Sequence, residues 1–354
     1  MPSNNWNIDA VRSREAMTRV AAALGPHNDW RGVVIAHLDT GFTNHVVFNL
    51  GSTAPSIRVA DGVNYMDPGV SEPRDPLNYS GGLGVATPGH GTRTLGTLCG
   101  NLAGTYTGVC PTVPVVPYRV TNGVMLTGQT ILNTALAIMD AVDRNLVDVI
   151  TISLGVQSVI GNVKQMRALG RAVDYAYERG VIVVGAAGQT EDAPQLVGFT
   201  VYPGRYSRSI LVGGINADRK VCFDYDDGRK YIDVWAPADD VSRPNAVAGL
   251  PEPFTGFALG DGTSYSTVHV AGAAAMWLRM RGDDLDAGGY NGWQRVEAFR
   301  AVLRAAKQPL AGDDVPTKRA PTDTGILDCV AVLDAQLPPL GALKKAPLAE
   351  PQVN

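Results

Sequence analysis

Three short segments, far apart in the chain, carry residue types that chemistry could use. They are Asp39-Thr40-Gly41 closing an apolar run, His90-Gly91-Thr92, and Gly262-Thr263-Ser264 opening an apolar helix. An acid, an imidazole and a hydroxyl, each beside small residues, are the parts needed to make a serine attack a carbonyl. The hydroxyl alone is a poor nucleophile near neutral pH. It needs a base within hydrogen-bond reach, and the base needs a carboxylate to hold its tautomer and stabilise the imidazolium.

Each segment also has a plainer reading. Asp39 at a strand end is an ordinary turn residue, and Ser264 ahead of a helix is an ordinary N-cap. A second Asp-Thr-Gly at Asp323-Thr324-Gly325 raises a pair of catalytic carboxylates as a competing chemistry. It follows the polar stretch 317–322, where a buried catalytic loop would want an apolar strand, and the rest of the chain has an α/β pattern. Of the five histidines, His27, His45 and His269 lack the Gly-His-Gly-Thr setting of His90. His37, two residues before Asp39 and on the same strand face, is the one competing imidazole. Ser266 and Thr267 lie inside the helix, where attack geometry is poor.

The elements that must position these groups follow from periodicity. Continuous apolar runs at 33–38, 113–120, 148–154, 181–187 and 210–215 read as strands covered on both faces. Between them, Ile131, Leu132, Ala135, Ile138, Met139 and Val142, and then Val163, Met166, Leu169, Val173 and Ala176, recur at helical spacing. Strands alternating with such helices predict an α/β fold, three-layer α/β/α with a mainly parallel central sheet. Segments 42–89 and 216–262 read as long functional loops, 293–306 as a last helix, and 337–354 as a loose Pro-rich tail to a domain spanning 1–336.

Bulk composition limits the function classes. With 354 residues, 45% hydrophobic and 18% charged, the chain can bury a full core. A net charge of −4 without any Lys/Arg run argues against nucleic acid or a membrane surface as partner. No basic start precedes an apolar stretch in residues 1–30, and the longest apolar segment, 268–278, is about half a bilayer span, so a cytoplasmic protein is expected. Four cysteines make no disulfide framework; Cys99 and Cys110 are close enough in sequence to pair, and a reduced protein fits at least as well.

From 6 to 335 the chain resembles the subtilisin-like serine proteases, which share the order Asp…His…Ser. Residues 33–41 resemble the family's Asp strand, 89–96 its His helix and 261–272 its nucleophile helix. Supporting matches are Ser153-Leu154-Gly155, similar to the substrate-binding edge, Tyr202-Pro203-Gly204-Arg205-Tyr206, Val234-Trp235-Ala236-Pro237 and Gly325-Ile326-Leu327-Asp328. The resemblance implies that Asp39 orients, His90 acts as general base and then acid, and Ser264 attacks. It implies an extended peptide adding as a strand between Ser153-Leu154-Gly155 and segment 121–128. Ala187 and Val201 belong to the substrate-binding set that the resemblance implies.

Three departures stand out. Gln189 follows Ala186-Ala187-Gly188 where the family has the Asn whose amide donates to the oxyanion; Gln189 carries the same donor on a longer stem. Val268 replaces the proline that normally kinks the nucleophile helix ahead of His269. Val201 stands where many relatives have Gly at the base of the pocket for the side chain before the cut, which shortens the pocket and favours small side chains. Calcium commonly stabilises this family, but loop 101–108 has no carboxylate, and the Asp-rich 224–227 and 283–286 read as solvated turns. No cofactor is required and no metal site is assigned.

The implied function is a serine endopeptidase working through an acyl-enzyme. Because only 38 residues precede Asp39, either the enzyme is intracellular with no pro-segment or the chain was trimmed. An intracellular enzyme of this kind must avoid damage through narrow specificity, restricted access or an activating partner, so a selective processing or signalling role is expected. A catalytically weak regulatory protein on the same scaffold, and an esterase or transpeptidase, remain open alternatives.

Overall fold

The structure, a computed structural model, describes residues 5–52, 55–79, 86–144, 147–157, 162–188, 201–222, 231–311 and 324–350. In chain order come helices α1 (Trp6–Ala10) and α2 (Ser13–Leu24), strands β1 (Ile35–Asp39) and β2 (Val63–Asn64), helix α3 (His90–Cys99), and strands β3 (Asn101–Leu102), β4 (Tyr106–Thr107) and β5 (Val115–Arg119). Helix α4 (Gln129–Asp143), strand β6 (Val149–Ile152), helix α5 (Val163–Glu178) and strands β7 (Ile182–Ala186) and β8 (Ile210–Ile215) follow. Then come strands β9 (Val221–Cys222), β10 (Val234–Pro237), β11 (Val241–Pro244) and β12 (Phe257–Gly260). Helices α6 (Thr263–Ala287) and α7 (Trp293–Ala305), strands β13 (Lys307–Gln308) and β14 (Ile326–Leu327), and helix α8 (Cys329–Asp334) complete the described chain.

The sheet order is β13-β14-β10-β8-β7-β6-β1-β5-β2, with β9 beside β8. Pairing is parallel throughout its middle and antiparallel at β13–β14 and β8–β9. Every residue of β1, β5, β6, β7 and β8 is buried, as continuous apolar runs require when helices cover both faces. On one face α4 and α5 pack through Ile131, Ile138, Met166, Leu169 and Val173. On the other, α6 and α7 pack with α2 and α8 through residues such as Val20, Trp277, Phe299 and Val332. The three-layer α/β/α architecture read from the sequence is therefore the one observed.

Helix α6 is buried around nearly its whole circumference, which explains its run of small residues. At Gly272 a Cβ would lie 2.6 Å from Val109, so glycine permits the close approach of the 107–110 loop. Val268 is buried in this helix, which runs unbroken from Thr263 to Ala287.

Two readings need correction. Segment 216–262 is not only loop: β10 is a buried strand of the main sheet, and β11 and β12 form a hairpin. Its mixture of Asp, Pro and Gly hid a four-residue strand whose second residue, Trp235, covers Gly213 on β8. The C-terminal stretch from 337 is also not loose over its described length. Ala349 is fully buried, and its N–H and that of Glu350 both donate to the Asp174 carboxylate. The Ala346 carbonyl accepts from the buried Arg208 guanidinium, and Tyr290 donates to the Pro338 carbonyl. Proline lowers the entropy lost on docking such a strap, so a Pro-rich composition did not mean disorder. Cys99 and Cys110 are not joined to each other.

Candidate active site

Asp39, His90 and Ser264, 51 and 174 residues apart along the chain, meet at the carboxyl end of β1. His90 Nδ1 lies 2.7 Å from Asp39 Oδ1, and His90 Nε2 lies 3.1 Å from Ser264 Oγ. The carboxylate is fully buried, the imidazole nearly so, and the hydroxyl half-buried at the surface end. Since a carboxylate only accepts, Nδ1 carries the proton and Nε2 is left as the acceptor facing the serine.

Local sequence explains the meeting. Asp39 ends an apolar strand, where side chains leave the sheet at its carboxyl edge. His90 is the first residue of α3, and at Gly91 a Cβ would stand 2.0 Å from the Gly41 carbonyl oxygen and 3.2 Å from Asp39 Cβ. Only glycine lets α3 approach β1 this closely. Ser264 is the second residue of α6, so its amide lies in the first turn, which has no helical carbonyl to bind. Its hydroxyl is also 3.2 Å from the Ser153 carbonyl, while Ser153 Oγ donates to the Ser264 carbonyl at 2.9 Å.

A second polar layer holds this arrangement, and sequence reasoning missed it. Asp75 is buried and accepts four donors: Thr40 Oγ1, the Gly89 N–H, the Leu77 N–H and Tyr79 OH. Thr40 Oγ1 in turn accepts from the Gly91 N–H, tying the His90 turn to the end of β1. Arg119, buried at the end of β5, donates to the Thr40 carbonyl, Asp67 and Asn122. An arginine closing an apolar strand beside Asp39 in register was the available signal; Asp75 sits in an irregular loop and gave none.

Burial alone would push the Asp39 carboxyl up. The facing His90 ring, then His37 and the Thr40 N–H, outweigh that and hold it below the usual carboxylate range. Burial depresses His37 to about 4, against the attraction of Asp39, and His269 likewise to about 4. His269 sits in the core of α6, donating from Nδ1 to the Tyr265 carbonyl and accepting from the Asn7 amide at Nε2. Both rings are therefore neutral in the folded protein near neutral pH.

Their linkage has a definite sign. The unfolded rings protonate near 6.5 and the folded ones near 4, so stability is full above pH 6.5 and is lost as pH falls toward 4. Lowering the pH from 7.5 to 5 is expected to cost about 2 kcal/mol per ring, about 4 kcal/mol in all. Urea unfolding at the two pH values measures this; equal stability would contradict buried neutral rings.

The remaining sites read from the sequence divide. Gly155 N–H donates to the Val124 carbonyl and its carbonyl accepts from the Leu126 N–H, so the two walls of the expected peptide groove touch each other there. A peptide strand cannot pass between them at Gly155, which corrects that part of the expectation. Leu154 is buried in the core under α4 and α5, and Ala187 is buried with both backbone groups bonded. Val201 is only half-buried and packs against Gly155 and Gly188, each of which leaves room for its methyls. Gln189 lies outside the described residues. The preceding Gly188 is pinned by Thr263, whose hydroxyl accepts from the Gly188 N–H at 3.1 Å and donates to its carbonyl at 2.9 Å. Asp323 of the second Asp-Thr-Gly also lies outside the described residues; Thr324 there is within hydrogen-bond reach of Trp235 Nε1, at the far end of the sheet.

Ser266 Oγ donates to the Ala236 and Pro237 carbonyls, and Thr267 Oγ1 to the Thr263 carbonyl, so neither competes with Ser264. Loop 101–108 is a β3–β4 hairpin that carries no carboxylate. Among the described residues, no helix is long and apolar enough to cross a membrane.

Comparison with known proteins agrees in fold and sequence. The subtilase family model matches residues 30–319. The major intracellular serine protease of Bacillus subtilis (strain 168) is 33% identical over 191 residues, 53% of this chain and 54% of that protein, so the chain spans about half its length. An intracellular serine protease of Paenibacillus polymyxa is 30% identical over 262 residues, covering 72% of this chain and 69% of the relative. A solved structure described as proteases from Pseudoalteromonas arctica superposes with a TM-score of 0.68 at 23% identity, over 90% of this chain and 92% of the other, a likeness of fold.

Proposed function

The chain belongs to the subtilase family, and from that premise we propose that it is a serine endopeptidase with Asp39, His90 and Ser264 as its catalytic triad. The observation that carries this reading is the continuous hydrogen-bond run from Asp39 through His90 to Ser264, at 2.7 and 3.1 Å. Ser264 Oγ attacks the scissile carbonyl carbon while its proton passes to His90 Nε2. The Ser264 N–H and the Gln189 side-chain amide stabilise the oxyanion. The imidazolium then gives its proton to the leaving amine, forming the acyl-enzyme, and water repeats the sequence to release the acid. The Gln189 assignment rests on the resemblance, in which this position supplies the amide donor.

The peptide binds in extended form past Ser153, short of the Gly155 contact with segment 124–126, with Val201 as the floor of the pocket for the residue before the cut. Its packing against Gly155 and Gly188 supports a shallow pocket that prefers Ala, Ser or Gly. We assign the enzyme a selective processing or signalling role in the cytoplasm. The names of the two bacterial relatives and the shallow pocket support this reading. A cleavage profile on a diverse peptide library tests it: cuts confined to small residues are expected, and indiscriminate digestion of unfolded protein would contradict it. Val201→Gly is expected to raise the kcat/KM ratio of Phe to Ala at that position by ~10-fold or more, by deepening the floor. An unchanged ratio would remove Val201 from the pocket.

A further inference from the structure

Behind Asp39 lies a pair of polar residues that the triad itself does not need. His37 Nε2 is 2.9 Å from Thr94 Oγ1, and Thr94 Oγ1 is 3.2 Å from Asp39 Oδ2. His37 stands two residues before Asp39 on β1, and Thr94 one turn after His90 on α3, so the pair joins the elements that carry the acid and the base. All three side chains are buried. On the other oxygen, Oδ1 receives the Thr40 N–H and His90 Nδ1–H, each at 2.7 Å.

We propose that His37 and Thr94 are positioning residues for the triad: His37 Nε2–H donates to Thr94 Oγ1, and the Thr94 hydroxyl donates to Asp39 Oδ2, holding the carboxylate by both oxygens. This rests on the triad reading above. Thr94 has one proton and three acceptors within reach, Asp39 Oδ2 at 3.2 Å, the His90 carbonyl at 3.2 Å and the Gly91 carbonyl at 3.3 Å. Two of these are back-bonds that any helical threonine makes. The carboxylate is the charged one, and bonds to ionised acceptors are the stronger. A donor from His37 occupies a lone pair of Oγ1 and turns its proton toward the carboxylate.

The tautomer of His37 decides the matter. With the proton on Nδ1, Thr94 would have to donate to Nε2, leaving Asp39 Oδ2 without its hydroxyl and a buried N–H without a partner. With the proton on Nε2, the group without a partner is only the Nδ1 lone pair. The burial that keeps His37 uncharged matches this neutral form. The titratable groups bearing on Asp39 are His37 from β1 and His90 from α3, with Asp75 from loop 71–79 and Arg119 from β5 acting one residue away through Thr40. No proton travels along this arm; it fixes the acid that orients His90.

The test uses the full chain and a fluorophosphonate that phosphonylates the catalytic serine, followed from pH 5 to 9 in wild type, Thr94→Val, Thr94→Ser, His37→Phe and Ser264→Ala, with melting curves for each. Thr94→Val and His37→Phe are expected to lower the maximal inactivation rate by ~10–100-fold with the half-saturating concentration within about twofold. Their acid limb should move up by about half a pH unit, since a carboxylate with one donor fewer holds the imidazolium more tightly. Thr94→Ser should stay near wild type. Because a core variant can fail to fold, the tautomer is also read in wild type from histidine ring nitrogen–proton correlations, where His37 should carry its proton on Nε2. Wild-type rates and an unmoved profile in both variants, or His37 protonated on Nδ1, would overturn the proposal while leaving the triad intact. Wild type that reacts no faster than Ser264→Ala would instead overturn the triad reading, and this proposal with it.

Discussion

Ser264→Ala is expected to lower kcat for peptide hydrolysis by about a million-fold while leaving KM within a few-fold, the scale measured for loss of the serine in a protease of this family. Among the described residues the hydroxyl bonds His90 Nε2 and the Ser153 carbonyl, both acceptors, so its removal strands no buried donor there and should leave the fold intact. What survives is the residual activity of a site that still binds the peptide and still offers amides to the oxyanion, ~10³–10⁴-fold over water. Steady-state kinetics on a chromogenic peptide, with melting curves as the control, measures it. A loss under tenfold would mean that another group attacks.

Asp39→Asn is expected to be the next most damaging change, by ~10⁴-fold in kcat at neutral pH. The two residues have nearly the same shape, so the loss does not come from packing. At 2.7 Å from His90 Nδ1 the carboxylate can only accept, which leaves Nε2 bare for the serine proton. An amide can present its NH₂ there instead, driving the imidazole proton to Nε2 and blocking the base. The Thr94 hydroxyl still finds the amide carbonyl in the place of Oδ2, while the Thr40 N–H then faces the NH₂ and loses its acceptor, so melting curves accompany the kinetics to separate lost stability from lost catalysis. Activity within tenfold of wild type would contradict the orienting role given to Asp39.

The convergence of Asp39, His90 and Ser264, the proposed triad, was legible because each stands beside residues with no other obvious use. Gly91 follows His90 because nothing larger fits under the Gly41 carbonyl, and Gly262 precedes Ser264 with a φ of 134°, open to glycine alone. The covered strands were legible for the same kind of reason, since continuous Val and Ile runs have few other places to go. What escaped notice depends on contacts between distant segments. Asp75 becomes a hub only when loop 71–79 folds over the His90 turn, and Ala349 becomes core only when the C-terminal strap lies across α5. β10 was hidden by Asp and Pro around a strand of four residues. His37 was visible as an imidazole on the same face as Asp39; only the distances show that it stands behind the acid rather than in place of His90.

One measurement bears most directly on the convergence of Asp39, His90 and Ser264. The wild-type protein is treated with a fluorophosphonate at neutral pH, digested, and the modified residue located by tandem mass spectrometry, alongside His90→Ala and Asp39→Asn. A single adduct on Ser264, formed quickly in wild type and suppressed in both variants, is the predicted result. An adduct on another residue, or on Ser264 at a rate indifferent to His90 and Asp39, would contradict it.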